Sequence, residues 1–218
     1  MCFSATASFT ASAVLGVIGT ATLGKTKDRS AWLLSAVPLL FALQQFVEGL
    51  LWVSLKNSST FVLPLTHVFL FFALFLWPIY TPLIILMLEP KKIRRIIISF
   101  FCLGGAIVGT MFYINFLLEP EAVRVINRCL YYPIRNLHPE LLKYLYILVT
   151  VGSGAVSSRL IIKLFCLLVL IGSIITYVFY STNFTSVWCF FAAIISIILF
   201  FQPQIQNLKL KKYLKPII

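Results

Sequence analysis

The sequence has few charged residues and very few acids. Only 11% of its 218 residues are charged, and just six are Asp or Glu. A water-soluble domain has about a quarter of its residues charged. This shortage, together with a hydrophobic content of 61%, excludes a water-soluble globular protein. Lipid is therefore the expected solvent for most of this chain.

Sequence motifs of several protein classes are also missing. The two histidines, His67 and His138, are too few for a His-rich catalytic zinc centre. The five cysteines show no C-x-x-C spacing, and the chain has no phosphate-binding loop, no G-x-S-x-G and no H-E-x-x-H. The basic residues are not interleaved with aromatic ones as in nucleic-acid readers, so we expect no nucleic-acid partner.

The sequence does contain seven long, continuous apolar runs. A transmembrane helix needs about 20 apolar residues, and a helix satisfies its own backbone hydrogen bonds inside lipid. Strands of a membrane barrel would instead alternate apolar and polar residues. The sequence predicts an all-α integral membrane bundle, a single domain over residues 1–218, with helices at about 6–24, 31–54, 61–88, 96–118, 141–158, 160–180 and 184–206.

The basic residues alternate between the two sides of this predicted bundle, and the alternation predicts its orientation. Thirteen of the eighteen fall on one side, which the positive-inside rule places in the cytoplasm, next to anionic lipid headgroups. An odd number of helices then puts the N-terminus outside, and we expect the bacterial inner membrane. The thirteen are Lys25, Lys27, Arg29, Lys91, Lys92, Arg94, Arg95, Arg159, Lys163, Lys209, Lys211, Lys212 and Lys215.

Two segments depart from plain apolar helix. Pro78 and Pro82 lie in the third run and remove backbone donors, so we expect a bend near Trp77–Pro78. The outer loop at residues 119–140 mixes charges with aromatics. It predicts either a lid or an amphipathic segment on the membrane surface.

Glu48 is the only acid inside a predicted span away from its ends. An ionisable group within the bilayer costs about 2.5–3.5 kcal/mol at a helix centre, so it usually has a partner or a function. Helical spacing places Gln44, Glu48 and Trp52 on one face of the helix, and Gln45 flanks that face. This polar stripe should point into the bundle.

His67 is predicted to lie at the same depth as Glu48. The second and third runs form a hairpin about Lys56–Ser59, so residues whose numbers add up to about 115 are level with each other. A Glu48–His67 pair would relieve the burial cost of both side chains. The alternative is that both are satisfied packing groups at a helix interface.

Further polar and aromatic residues fall in the same outer half and suggest an outward-facing cavity. The interfacial aromatic belt is the alternative for each of them taken singly. A mixed metal site is a further hypothesis, with Cys2, Glu48, His67 and Cys189 as ligands. The candidate ligand-binding residues are Gln44, Gln45, Glu48, Trp52, His67, Tyr146 and Trp188.

Four blocks of the sequence resemble an uncharacterised bacterial family of multi-pass membrane proteins, a domain of unknown function. They are the opening MCFSATASF, the block from Pro38 to Gly49, Trp77-Pro78 with Glu89-Pro90, and the block from Ser186 to Ala193. The resemblance covers nearly the whole chain and implies no activity. It places these residues in family motifs: Cys2, Ser4, Gln44, Gln45, Glu48, Trp77, Ser157, Ser158, Trp188 and Cys189.

The sequence leaves three functions open. The first is a protein that binds or senses a small or lipid-like ligand around Glu48. The second is a membrane-embedded enzyme of hydrolase type, with or without a metal ion, in which Glu48 or His67 is an acid–base group or metal ligand and Cys2 a ligand or nucleophile. The third is a proton or solute transporter, because intramembrane carboxylates serve proton relays. The cofactor is unknown.

Overall fold

A computed structural model describes residues 4–134 and 139–201 of the chain, and most of these residues are helical. Short irregular helices occur at three places: a π-helical turn at Phe71–Leu76 and 3-10 turns at Ser181–Asn183 and Ser196–Phe201. The main elements are α1 (Ala5–Lys25), α2 (Arg29–Ser35), α3 (Val37–Lys56), α4 (Val62–Leu70), α5 (Trp77–Leu88), α6 (Lys92–Leu118), β1 (Arg124–Ile126), β2 (Cys129–Tyr131), α7 (Pro139–Val156), α8 (Leu160–Tyr180) and α9 (Phe184–Ile195).

Each predicted apolar run is mostly helical in the part of it that the structure describes, although a turn at Ala36 divides the second run and the fifth ends at Val156 instead of Ser158. Within the described residues, five helical segments are long and apolar enough to cross a bilayer, and a shorter apolar helix covers Leu141–Val156. The last of the five, Leu160–Phe201, spans 42 residues. The structure therefore agrees with a membrane-embedded helical bundle.

The helices pack mainly on their neighbours in sequence, and the last one returns to the first. The pairs α1–α3, α5–α6, α6–α7, α7–α8 and α8–α9 are in contact, and α9 also touches α1 and α3. The chain reverses at Ser181–Asn183, since α9 lies against α8 and Trp188 Nε1 donates to the Val169 carbonyl at 3.3 Å. The bundle thus encloses an interior between α3, α5, α7 and α9.

The perimeter of the bundle is apolar. Leu160, Ile93 and Phe179 are 77%, 75% and 73% exposed, and many other large aliphatic side chains point outward with them. Exposed apolar surface of this extent marks a protein that is covered by something other than water. Lipid acyl chains are the partner that this perimeter fits.

The irregular part of the third run lies directly before Pro78. A π-helical turn at Phe71–Leu76 separates α4 from α5, so the regular hydrogen-bond ladder is broken where the prolines predicted a disturbance. The backbone here packs closely against α6. A Cβ at Gly105 would overlap the Pro78 carbonyl oxygen, and one at Gly109 would lie 3.2 Å from the Leu74 carbonyl oxygen. Only glycine allows this approach.

Candidate functional site

A polar cluster around Glu48 lies in the interior of the bundle. Helix α3 carries Gln44, Gln45 and Glu48, and all three side chains are fully buried. Each oxygen of the Glu48 carboxyl group has one hydrogen-bond donor: Ser186 Oγ on α9 donates to Oε1 at 2.5 Å, and Gln45 Nε2 donates to Oε2 at 3.0 Å. Hydrogen bonds of this kind are what makes a buried carboxyl group tolerable in an apolar interior.

Gln44 extends the cluster toward α5 and α9. Its Oε1 accepts a hydrogen bond from Trp77 Nε1 at 2.7 Å, and the Trp77 ring stacks on Phe41 with centroids 4.0 Å apart. The Cys189 thiol lies next to the Gln44 side chain. The cluster therefore joins three helices that are distant in sequence, α3, α5 and α9.

Several buried polar atoms of this region have no hydrogen-bond partner among the described residues. Such atoms are rare in folded proteins, and each one calls for an explanation such as a bound water, ion or ligand. The Trp77 bond fixes the orientation of the Gln44 amide and leaves its Nε2 for the neighbouring Cys189 thiol, a weak partner. The atoms are Ser8 Oγ, Gln44 Nε2, Gln45 Oε1, Trp52 Nε1 and Tyr132 OH.

Ser8 belongs to this region through the packing of α1 on α3. Ser12 Oγ donates to the Ala42 carbonyl at 2.8 Å, and a Cβ at Gly49 would meet the Phe9 ring. Ser8 is one turn before Ser12, and α1 runs antiparallel to α3. It therefore lies just beyond the Phe9 contact, near the level of Glu48.

Between α6 and α7, residues 124–131 fold into a β-hairpin that covers one end of the bundle. Strands β1 and β2 pair with Val125 opposite Leu130, and the two residues of the turn, Asn127 and Arg128, both have positive φ. This is the backbone that a two-residue hairpin turn requires. The described part of this loop is therefore a hairpin packed on the helices, and whether it acts as a lid stays a prediction.

Three contacts hold the hairpin against the helices. The Val123 backbone N–H donates to Thr66 Oγ1 at 3.2 Å, and Asn183 Nδ2 donates to the Ile126 carbonyl at 3.3 Å. The Tyr132 ring stacks almost parallel on Phe69, with centroids 4.5 Å apart. Tyr132 is thereby inserted into the bundle, close to Glu48.

Tyr132 is a hydrogen-bond donor in this setting. Burial, followed by the nearby Glu48 carboxyl group, raises the pKa of the Tyr132 phenol well above its ordinary value. The hydroxyl group therefore keeps its proton at neutral pH. Its lack of a partner makes it an unused donor directed into the interior.

A cavity of about 170 Å³ lies beneath the hairpin, beside the Glu48 cluster. Tyr132 and Cys189 form its border with the cluster, and Glu48 itself does not line it. The rest of its wall comes from the hairpin, from the start of α7 and from the α8–α9 turn. Its polar lining residues are Tyr131, Tyr132, Lys143, Tyr146, Ser181, Thr182, Asn183 and Thr185.

The predicted Glu48–His67 pair is not formed. The His67 Nδ1 atom is hydrogen-bonded to the Leu63 carbonyl on its own helix at 2.9 Å, and the ring packs against Phe116 at 4.8 Å. Equal depth says nothing about the direction in which a helix face points. His67 lies on the side of α4 that faces α6, and Glu48 faces α9 and the hairpin.

Only some of the other predicted site residues lie at the cavity. Tyr146 and Trp188 line the cavity, whereas Trp52 is half buried with its indole nitrogen unpaired. Among the described residues no group of three or more His, Cys, Asp and Glu side chains could hold a metal ion, so Glu48, His67 and Cys189 do not form one. Cys2 lies outside the described residues.

Sequence reasoning missed Ser186, Trp77 and Tyr132 as members of the site. Ser186 and Trp77 stand in two of the blocks that resemble the family. Each has a side chain that can donate a hydrogen bond, and each lies within an apolar run. That was the available signal for them. Tyr132 gave no such signal, because its position depends on how the hairpin folds.

A second buried carboxyl group, Glu89, joins two turns at the opposite end of the bundle. It is 1% exposed, and it accepts hydrogen bonds from Ser158 N at 2.6 Å, Ser158 Oγ at 2.5 Å and Lys91 N at 3.2 Å. Arg94 Nη1 donates to Ser158 Oγ at 3.1 Å. This group ties the α5–α6 turn to the α7–α8 turn.

The charge state of Glu89 follows from two opposing effects. Desolvation by burial raises its pKa, but the hydrogen bonds from Ser158 and Lys91 and the nearby Arg94 guanidinium outweigh it. The pKa of Glu89 therefore lies below its ordinary value of 4.5. The carboxylate is ionised at neutral pH and stabilises the folded state in that form.

Removal of the Ser186 hydroxyl should destabilise the fold through Glu48. In Ser186→Ala, Glu48 Oε1 loses its donor, so the free energy of unfolding in detergent should fall by about 1–3 kcal/mol. In a Glu48→Gln background the same change should cost less. Thermal or denaturant unfolding of the four proteins of this cycle measures the coupling.

Ser196→Ala is the matched control, because Ser196 is also fully buried but donates only to the Ala193 carbonyl of its own helix. It should lower stability less than Ser186→Ala. Equal losses in both variants, with no coupling to Glu48, would contradict the role assigned to Ser186.

The Glu89 network predicts acid sensitivity. A carboxyl group whose pKa is lowered by folding contributes stability above its unfolded pKa, and this contribution is lost as pH falls through the folded value. The contribution should be complete above pH 4.5 and should decline below it. Thermal midpoints of wild type and Glu89→Gln in detergent, measured from pH 7 to pH 3, should converge in acid. Glu119→Gln, at an exposed acid, should stay parallel to wild type.

Comparison with known proteins identifies the family but no activity. A family model described as a family of unknown function, DUF6629, matches residues 1–212. No curated protein and no solved structure matches the chain. Since the match covers nearly all of the 218 residues, the chain belongs to the DUF6629 family of unknown function.

Proposed function

We propose that this protein crosses the bacterial inner membrane seven times, with its N-terminus outside, and binds a small or lipid-like ligand in an outward-facing site beneath the hairpin. The observation that carries the proposal is the cavity of about 170 Å³ next to a buried cluster with unpartnered polar atoms. Of the residues that carry those atoms, Tyr132 lines the cavity, and Gln44 and Gln45 belong to the cluster beside it.

The lining of the cavity supports binding of a molecule rather than plain packing. Ligand pockets are largely apolar, with a few convergent polar groups that fix orientation. Here Tyr146, Trp188 and Phe184 supply aromatic walls, and Lys143, Asn183 and Thr185 are polar residues of the lining. The lining comes from separate parts of the chain: the π-helical turn, α6, the hairpin with the residues after it, α7, and the α8–α9 turn with α9.

Two observations support the proposed orientation. The hairpin and Lys56 belong to the side with few basic residues, and the clusters Lys91–Arg95 and Arg159–Lys163 to the other. Cys129 on the hairpin is disulfide-bonded, and disulfides persist in oxidising compartments outside the cytoplasm. The reversal between α8 and α9 supports counting them as two crossings, which makes the total odd.

Reporter fusions test the orientation. Alkaline phosphatase, which is active only outside the cytoplasm, should be active when fused after Asn57 and after Asn127 and inactive when fused after Lys91 and after Arg159. The opposite pattern would overturn the orientation, and equal activity after Asn127 and Arg159 would overturn the count of seven.

Thermal stabilisation by ligand tests the binding function. A ligand at 100 times its dissociation constant stabilises a protein by about 2.7 kcal/mol. A total lipid extract from the host membrane should raise the thermal midpoint of the detergent-purified protein. In Thr185→Trp, which fills the edge of the cavity, the extract should have no such effect.

Thr10→Trp provides the matched control, since Thr10 is exposed on α1 and does not line the cavity. It should respond to the extract as wild type does. An extract that stabilises Thr185→Trp as much as wild type acts elsewhere on the protein, and this result would refute the proposed site.

A further inference from the structure

The end of the bundle opposite the hairpin carries two arginines whose guanidinium groups are held in place by the chain. Arg94 Nη1 donates to the Val156 carbonyl at 3.2 Å as well as to Ser158 Oγ. Arg159 Nε donates to the Leu88 carbonyl at 3.1 Å. A guanidinium group has five N–H donors in a planar fork. Each arginine therefore attaches itself to the turns through one nitrogen atom and keeps the other two for a further acceptor.

The positive charge at this place is only partly neutralised. Arg94 is paired with the Glu89 carboxylate, since its charge contributes to lowering the pKa of that group. Arg159 is partly exposed and Lys91 is exposed, and neither has an ion-pair partner among the described residues. Three cations around one carboxylate leave a net positive charge, and such a cluster attracts anions.

The Glu89 bridge brings these cations together. Glu89 accepts from the Lys91 backbone N–H with Oε1 and from the Ser158 backbone N–H with Oε2. The turn with Lys91 is thereby joined to the turn with Arg159. A site whose groups are already fixed in position binds a ligand without the cost of ordering them.

The residues next to the arginines show what kind of anion fits. Ile93 and Leu160 directly adjoin Arg94 and Arg159 in the chain, and both are large aliphatic side chains that are mostly exposed. A water-soluble anion gains nothing from such a surface, whereas a phospholipid covers it with its acyl chains. Basic sites between membrane helices on the cytoplasmic side are known to take phosphorylated lipid head groups.

The outward face of α7 leaves room for an acyl chain above these cations. Leu145 and Leu148 are exposed on this face, but in the last turns the exposed positions are Gly152 and Ala155. Ala155 directly precedes Val156, whose carbonyl accepts the hydrogen bond from the arginine of α6. The small residues therefore begin where the cations are.

We propose that Lys91, Arg94 and Arg159 bind the phosphate of an anionic phospholipid, one acyl chain of which lies over Gly152 and Ala155. This site is independent of the cavity beneath the hairpin. The lipid stays with the protein through purification, so the total lipid extract that tests the cavity finds this site already occupied.

Native mass spectrometry tests the proposal. The detergent-purified protein should carry one bound anionic phospholipid. After the lipid is removed by detergent exchange, dioleoyl phosphatidylglycerol should rebind in a saturable manner, about tenfold more tightly than dioleoyl phosphatidylcholine, which has the same acyl chains but no net charge. Glycerol 3-phosphate, which has the phosphate without the chains, should not displace it.

Charge variants locate the head group. Lys91→Gln should weaken the binding of dioleoyl phosphatidylglycerol about fivefold, and so should Arg159→Gln. Lys91→Gln keeps the backbone contact with Glu89, so it decides the question if Arg159→Gln is unstable. Lys27→Gln, at an exposed lysine of the α1–α2 turn, is the matched control and should leave the affinity unchanged.

A tryptophan in the path of the acyl chain tests the other half of the proposal. Ala155→Trp should weaken the binding of the lipid, whereas Ala13→Trp, at an exposed alanine of α1, should not. Thermal midpoints without added lipid confirm that each variant is folded.

Three results would overturn the lipid site and leave the proposed function of the cavity untouched. Equal affinities for the two phospholipids would refute the charged head group. Equal losses in Lys27→Gln and Lys91→Gln would reduce the effect to the overall charge of the protein. Displacement by glycerol 3-phosphate would show that the ligand is a soluble phosphate.

Discussion

The hydrogen bond between Ser186 and Glu48 links residues that are 138 positions apart, and the interior of the bundle is arranged around it. A carboxyl group in an apolar interior must have hydrogen-bond partners, so α9 has to return to α3 at this depth. The return of α9 also brings Trp188 and Cys189 to the wall of the cavity beneath the hairpin. The hydrogen bonds that the buried Glu48 carboxyl group requires thus determine which residues of α9 line the neighbouring cavity.

The backbone of the third predicted helix contributes in a complementary way. Its π-helical turn and Pro78 leave carbonyl groups outside the regular ladder, and Tyr146 OH donates to one of them, that of Ala73, at 2.5 Å. This bond fixes a side chain that lines the cavity beneath the hairpin. Gly105 and Gly109 allow α6 to cover the same backbone closely. The irregular backbone of the third run therefore fixes the position of Tyr146 in the cavity wall.

Much of the architecture could be predicted from the sequence, because lipid imposes simple rules on helix length and composition. The predicted run 160–180 coincides with α8, and the stripe of Gln44, Gln45 and Glu48 is buried as expected. The position of His67 could not be obtained in the same way. The residue numbers of two antiparallel helices show which residues lie at the same depth, but not how each helix is rotated about its own axis. The rotation of α4 is set by its packing against α6. Tyr132 depends on the fold of a loop, which hydropathy does not describe.

The hairpin and the helices differ in what holds them. The walls of the cavity belong to long apolar helices, whose unfolding would expose a large buried core. The roof consists of two three-residue strands, and burial contributes most of its attachment: Leu130 and Cys129 are 0% and 2% exposed, in addition to two hydrogen bonds and one ring stack. A strand pair this short is at best marginally stable by itself in water. The cover of the cavity can therefore form only after the helices that bury Leu130 have assembled.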